Sequence, residues 1–333
     1  MPIRMLNGSE IDALLPMAEC IEVMAETMIS LSQGGAQLPL RTILRLPKNR
    51  GAFGAMPAQL DRPDAFGLKA ISVYPGNEGS RWDSHQGVVL LFEPEHGTLA
   101  AIMDASRITA IRTAAMSGLA THLLARDDAA DLAILGSGVQ ACSHLDAMRT
   151  VRPIRRVRAW SRKRSSLEAF VARSKEVGVE VEPMESALAA VDGADLICTV
   201  TGSKTPVLQG DWITPGAHIN AVGASLPEAR ELDSATVARS RLFVDRRDSA
   251  VNEAGDFLIP LSEGVITEDH IVGEIGDVAA GTLPGRSSAE EITLFKSLGL
   301  AIQDVASAHW VHRKAVDQGM GQVVDLGGTR DAS

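Results

Sequence analysis

The sequence predicts an α/β protein of two domains, and three observations carry that reading. A short apolar strand, Asp131–Leu135, runs into a glycine-rich turn, Gly136-Ser137-Gly138, and then into a helix. Beyond that point strand and helix patterns alternate, as in a parallel, doubly wound sheet. Ahead of it the pattern is different: short β-type runs punctuated by Gly and Pro, as in a sheet joined by turns. The length, 333 residues, suits two such domains.

Along the chain, residues 9–33 read as a helix. Apolar residues recur at Ile11, Leu14, Leu15, Ala18, Ile21, Met24 and Met28. Ser9 is placed to cap this helix, and Gly34-Gly35 ends it. Strands are expected at 42–46, 67–73, 87–92 and 99–103, separated by Pro47, Pro75-Gly76, Pro94 and Gly97. Residues 107–125 form an Ala-rich apolar helix. The second regime begins near Asp131. After the helix that follows the glycine-rich turn come strand Arg156–Trp160, helix 166–177, strand 179–181 and helix 185–191. Strands at 195–201, 218–222 and 242–245 follow, and 287–318 reads as mostly helical.

Hydrophobic residues make up 45% of the chain and charged residues 22%, enough to bury a core in each domain. The formal net charge of −10 disfavours a nucleic-acid partner, which demands a surplus of cations. It leaves room for an anionic small molecule, because such a site needs only a few local positive charges. Cys20, Cys142 and Cys198 have no paired spacing, so buried free thiols are expected rather than a disulfide framework or a zinc site. No basic leader precedes an apolar segment, and no run of about 18 apolar residues would span a membrane. A cytoplasmic protein is expected, with no metal.

The turn after Asp131–Leu135 has the chemistry of a Rossmann dinucleotide site. Gly136 permits the tight turn, Gly138 leaves the pyrophosphate unobstructed, and Ala141 is small enough for close helix–strand packing. Val139 and Gln140 open the helix whose free N–H groups face the phosphates. A carboxylate after the second strand would select NAD. Here the strand ends in Ser161-Arg162-Lys163-Arg164, with three cations and no carboxylate. Arg pairs well with a 2′-phosphate, so the expected cofactor is NADPH or NADH with NADP favoured.

Two cations lie where solvent exposure is implausible: Lys69 within the apolar run Phe66-Gly67-Leu68-Lys69-Ala70-Ile71, and Arg112 within an apolar helix. A buried charge needs an anionic partner, either a substrate carboxylate or an internal Asp or Glu. Arg41 and Arg45 share one strand face by alternation. Ser84-His85-Gln86 is a polar cluster at the start of a strand.

Taken together, these residues resemble the ornithine cyclodeaminase/mu-crystallin family over almost the whole chain. The marks are Arg41-Thr42, Met56-Pro57-Ala58, Lys69, Ser84-His85-Gln86, the segment 108–115 around Arg112, and 135–141 around the glycine-rich turn. The segment 215–223 and Phe295-Lys296-Ser297-Leu298-Gly299 complete them. The resemblance implies a substrate-binding and dimerisation domain, residues 1–118 with 305–333, and an NAD(P)-binding Rossmann domain, residues 119–304. It implies a homodimer. It makes Arg41, Lys69 and Arg112 a clamp for a substrate carboxylate. It places Ser84, His85, Thr113, Thr201, Val222 and Ser297 against the cofactor, with Ser161, Arg162 and Lys163 at the adenosine ribose.

Family members include cyclodeaminases, alanine dehydrogenases, ketimine reductases and a non-catalytic binding protein. Cyclodeaminases carry an Asp in the segment where this chain has Ser225, and a hydroxyl is no substitute for a carboxylate base at neutral pH. The expected activity is therefore reduction of a C=N bond beside a carboxylate, to give an L-amino acid, with Lys69 and Arg112 as the catalytic pair. Cyclic ketimines such as pyrroline-2-carboxylate and piperideine-2-carboxylate suit this branch. Arg45 adds a cation that would suit a dicarboxylic imine, iminosuccinate. The alternatives are an ornithine cyclodeaminase-type lyase that recycles NAD, an alanine dehydrogenase-like enzyme, and a mu-crystallin-like protein that binds without turnover.

Overall fold

A computed structural model describes residues 2–77 and 80–327. The chain divides into two compact units, one holding the described residues through Arg112 and from Leu300 onward, the other Thr113–Gly299. These breaks differ from the 118/119 and 304/305 expected from sequence. Leu300 goes with the first unit because it caps helix Ala301–Asp317, which packs on the sheet of that unit.

The first unit is a mostly antiparallel sheet. Its strands are β1 (Pro2–Leu6), β2 (Ala36–Gln37), β3 (Thr42–Arg45), β4 (Ala52–Leu60), β5 (Ala65–Val73), β6 (His85–Phe92) and β7 (Leu99–Asp104), with the C-terminal strand Gln322–Asp325. From that last strand the order is β1, β7, β6, β5, β4, β2, and β3 pairs with β4. Alternation along β5 buries Ala65, Gly67, Lys69 and Ile71 on one face. Helix Ala301–Asp317 packs over β4, β5 and β6. Gly67 permits the approach: a Cβ there would stand 2.4 Å from the Leu90 carbonyl oxygen and 3.2 Å from the Val305 side chain.

Four strands here were not anticipated: β1, β2, β4 and the C-terminal Gln322–Asp325. β1 is short. β4 is rich in Ala and Gly and contains Pro57, all unfavourable strand signals. Pro57 is tolerated because β3 pairs with β4 only over Ala52–Ala55 and β2 only over Gln59–Leu60, so the proline sits in the gap between the two. The expected helix over 9–33 is two helices, Gly8–Leu14 and Met17–Ser32. Pro16 separates them, having no N–H to donate into the ladder. Asn7, not Ser9, caps the first, in a reciprocal pair with Glu10.

The second unit is a parallel sheet of β8 (Asp131–Leu135), β9 (Arg156–Trp160), β10 (Glu182–Pro183), β11 (Leu196–Thr199), β12 (His218–Ala221), β13 (Ser240–Val244), β14 (Ile271–Glu274) and β15 (Ile292–Lys296). Their order is β10, β9, β8, β11, β12, β15, β13, β14. β11, β12 and β15 are buried throughout, as expected of strands with both faces covered. β15 corrects the helical expectation over 287–318. Its five residues, Ile-Thr-Leu-Phe-Lys, are too few for a stable helix and carry β-branched and aromatic side chains. The strand expected at 179–181 is displaced to the two-residue edge β10. Strand order reverses at β8, which lies between β9 and β11. In doubly wound sheets that switch point is where ligands bind, beyond the carboxyl ends of the strands.

Candidate functional site

In the first unit the structure joins the two cations singled out from the sequence. Lys69, on the covered face of β5, and Arg112, in helix Ala105–Leu124, are 3% and 4% exposed. Both meet Asp304, which is fully buried. Lys69 Nζ stands 2.7 Å from Asp304 Oδ2, and Arg112 Nε donates to Asp304 Oδ1 at 2.9 Å. Arg112 Nη1 also donates to Gln303 Oε1 at 3.0 Å. Of the two partners open at the sequence level, an internal carboxylate is present, but it is one carboxylate shared by two cations.

The electrostatics follow from this sharing. Burial alone would raise the Asp304 pKa, but Arg112 and Lys69 overcome it and hold the carboxyl below its usual range. Burial, aided by the Arg112 and Arg41 charges and opposed by Asp304, brings Lys69 down to about 8. Arg41 is thus near enough to Lys69 to act on it. Arg45, on β3, is exposed. At the start of β6, Ser84 Oγ and His85 Nδ1 lie 3.0 Å apart. Crowding by surrounding atoms and the Lys69 ammonium lower the His85 pKa.

In the second unit the glycine-rich turn has the geometry of a dinucleotide cradle. Gly136 has φ +125°, and a Cβ there would stand 2.7 Å from the Val200 carbonyl oxygen. A Cβ on Gly138 would meet nothing within 4 Å. Gly138 is the N-cap of helix Val139–Val151 and provides no side-chain cap. The Val139 side chain is 58% exposed beside it. Ala141 is fully buried against the sheet. Ser137 Oγ donates to Ser161 Oγ at 3.0 Å, tying the turn to the end of β9. Of the three cations after β9, Arg164 is engaged by Glu168 at 3.2 Å and Glu185 at 2.8 Å. Arg162 and Lys163 are exposed.

The remaining cofactor candidates of this unit include Thr201, Val222 and Ser297, which follow β11, β12 and β15. Ser297 Oγ is buried without a hydrogen-bond partner, and so is Gln140 Oε1. An orphaned buried polar atom implies an absent partner. Both lie at positions expected to face the cofactor, so the residues present fit a nicotinamide dinucleotide. Thr113, in helix Ala105–Leu124, is 7% exposed.

The model of the Ornithine cyclodeaminase/mu-crystallin family matches residues 3–319. The chain belongs to this family. Among its relatives, the ketimine reductase mu-crystallin of Mus musculus is 42% identical over 279 residues, 84% of this chain and 85% of that protein. The structure of Thermococcus litoralis Delta(1)-pyrroline-2-carboxylate reductase in complex with NADH and L-proline superposes with a TM-score of 0.94 at 40% identity, covering 97% of this chain and 100% of that one. An archaeal alanine dehydrogenase dimer with bound NAD gives 0.92 at 33% identity, covering 98% and 100%. The iminosuccinate reductase of Paracoccus denitrificans, in complex with NAD+, gives 0.90 at 28% identity, with the same two coverages.

Against this family background, the carboxylates are what sequence reasoning missed. Asp304 and Gln303 complete the Lys69–Arg112 cluster. Asp245 accepts from the Leu298 and Gly299 amides at 2.7 Å each. Glu231, fully buried, accepts four hydrogen bonds around Thr199, Thr201 and Gly223. The signal that exposed Lys69, a charge inside an apolar run, is also present at Asp304 in Ala301-Ile302-Gln303-Asp304-Val305.

Proposed function

We propose that this chain is an NAD(P)H-dependent imine reductase, reducing the C=N bond of a 2-imino acid to give an L-amino acid. The observation that carries the reading is the buried cluster of Lys69 and Arg112 around the single carboxylate of Asp304, which leaves a positive charge for a substrate carboxylate to neutralise. Buried charge without a counter-ion is costly, so the cluster favours an anionic ligand.

Arg112, Arg41 and Lys69 hold the substrate carboxylate. Arg112 is steered by Asp304 and Gln303, which fix its guanidinium plane. Clamping the substrate by its carboxylate would replace a bimolecular encounter with a hydride donor by an oriented one. The reduced nicotinamide supplies that hydride. The imine nitrogen must be protonated, and the Lys69 ammonium, with its pKa brought to about 8, is the acid positioned to supply the proton. In the oxidative direction the same amine, neutral, takes the proton back.

A nicotinamide dinucleotide is held by Gly136, Gly138, Val139 and Gln140 at its pyrophosphate and by Ser161, Arg162 and Lys163 at its adenosine ribose. Thr113, Thr201, Val222 and Ser297 are the second unit's candidates for its nicotinamide half, and the family resemblance adds Ser84 and His85. NADPH is the preferred form, because β9 ends without a carboxylate and Arg162 is exposed there. The functional unit is a homodimer. Leu40, Ile43, Leu44 and Phe53 present an exposed apolar surface around β3 and β4, and a relative of the same fold is a dimer.

The substrate is a cyclic ketimine such as pyrroline-2-carboxylate or piperideine-2-carboxylate. Iminosuccinate is the second reading, favoured by Arg45. The test is oxidation of NADPH and NADH at 340 nm with pyrroline-2-carboxylate, piperideine-2-carboxylate, oxaloacetate plus ammonia, and pyruvate plus ammonia, on the wild type and Arg45→Ala. Turnover of cyclic ketimines by both proteins supports the first reading. Loss confined to the oxaloacetate mixture in Arg45→Ala supports the second. Silence on all four, with ammonia released from ornithine, overturns the reductase reading in favour of a lyase despite Ser225. Silence with tight ligand binding marks a protein that binds without turnover.

A further inference from the structure

The second unit contains a set of buried charges that the proposed chemistry does not use. Glu231, Asp256 and Lys296 are 0%, 2% and 1% exposed. Two carboxylates thus share one ammonium, an arrangement with no obvious benefit to stability, since burying charges costs more than their pairing usually returns. Its placement suggests a different use.

The Glu231 carboxylate bridges the exits of two neighbouring parallel strands. Oε1 accepts from the Thr201 backbone N–H at 2.6 Å and from Thr201 Oγ1 at 2.7 Å, just beyond β11. Oε2 accepts from the Gly223 N–H at 2.6 Å, just beyond β12, and from Thr199 Oγ1 at 2.9 Å. Gly223 is necessary to this contact: a Cβ there would stand 2.7 Å from Glu231 Cδ and 2.1 Å from the Thr201 carbonyl oxygen. Glu231 is itself held. Its N–H and that of Leu232 donate to Asp256 Oδ1 at 2.8 and 3.0 Å. Lys296 Nζ donates to Asp256 Oδ2 at 2.9 Å and to the Ala224 carbonyl oxygen at 2.6 Å. Lys296 ends β15 and precedes Ser297, whose hydroxyl is buried and unpartnered.

We infer that Glu231 is a positioning residue: one carboxylate, anchored by Asp256 and Lys296, sets the spacing of the β11 and β12 exits that receive the nicotinamide half of the cofactor. The inference rests on the dinucleotide reading of this unit and is independent of which imine is reduced. Carboxyl ends of parallel strands are where a doubly wound sheet binds its ligand, so the separation of adjacent exits determines what fits between them. A carboxylate with four donors at 2.6–2.9 Å is a stiff spacer. A glutamine cannot replace it, because its amide nitrogen would face donors at one of the two exits.

The test uses the full-length protein and Glu231→Gln. Cofactor affinity is read from quenching of protein fluorescence by NADPH and NADH, and the imine KM is measured at saturating cofactor. Amide hydrogen exchange is followed at Thr201 and Gly223 in the cofactor-free protein. The expected result is a cofactor Kd raised on the order of tenfold, the loss of about one charge-assisted hydrogen bond. Exchange at those two amides should accelerate, with the imine KM little changed. Unchanged affinity in a folded Glu231→Gln protein overturns the inference. Should that variant fail to fold, Thr199→Val removes only one donor to Oε2 at constant shape. Several-fold weaker cofactor binding there supports the inference, and wild-type affinity overturns it. A wild type that binds no dinucleotide would instead remove the reading on which it rests.

Discussion

Lys69 is an ammonium poised to give up its proton near neutral pH, and the reason is its company. Burial and the neighbouring guanidinium groups disfavour its charge, and Asp304 only partly restores it, leaving a pKa of about 8. Below that pH the side chain carries the proton that the proposed reduction calls for, and above it that proton is lost. The reductive kcat/KM is therefore expected to fall about tenfold per unit as pH rises beyond about 8, while amino-acid oxidation gains over the same interval. Lys69→Arg keeps the positive charge at every accessible pH but has no proton to release. It should bind substrate, lose on the order of 10²–10⁴ in rate, and show no titration near 8. A pH profile of Lys69→Arg that still turns over near 8 would assign the titration to another group. Lys69 and Arg112 could be picked out from sequence because a charge inside an apolar run demands an explanation. Their partner could not be assigned, because Asp304 follows Arg112 by 192 residues and no local pattern connects them.

At the scale of elements, the strand-to-helix turn after β8 combines two constraints at Gly136. Its φ of +125° is reached without strain only by glycine, and any Cβ would collide with the Val200 carbonyl. Gly136→Ala is expected to cost at least about 1–3 kcal/mol of stability and to abolish dinucleotide binding, by shifting the turn away from β11. Thermal unfolding with and without NADPH checks both, and a variant stabilised by NADPH as strongly as the wild type would exclude a cradle at this turn. Such a turn is legible in sequence because its glycines serve backbone geometry. So was the strand–helix alternation that follows it. β4 and β15 were not, for opposite reasons. β4 breaks the propensity rules at Pro57 and is rescued by where its partners happen to end. β15 is an apolar run too short to distinguish from a buried helix by periodicity, and its place between β12 and β13 is a property of the sheet alone.

For the molecule as a whole, no helix among the described residues is long and apolar enough to cross a membrane. The surface proposed above for the dimer lies at β3 and β4, where Ile43 and Leu44 are 46% and 61% exposed. Placing a charge there, as in Leu44→Asp, should convert the proposed dimer to monomer in light scattering, with Rossmann-unit cofactor binding retained. A dimer that survives the change lies elsewhere on the surface. The first unit is also discontinuous in the chain: its sheet is built largely from the N-terminal part, while the helix bearing Asp304 follows the entire second unit. During synthesis, β5 and Arg112 emerge long before their counter-charge does. For most of translation Lys69 and Arg112 are cations with no internal partner, and the face of β5 that the last helix covers stands open. Removing that carboxylate from a finished protein would cost about 3–5 kcal/mol. On the nascent chain the two cations are open to water and escape that cost, which arises only when they are buried. The second unit, complete before that last helix emerges, can fold first, and β5 is covered only when helix Ala301–Asp317 docks on it.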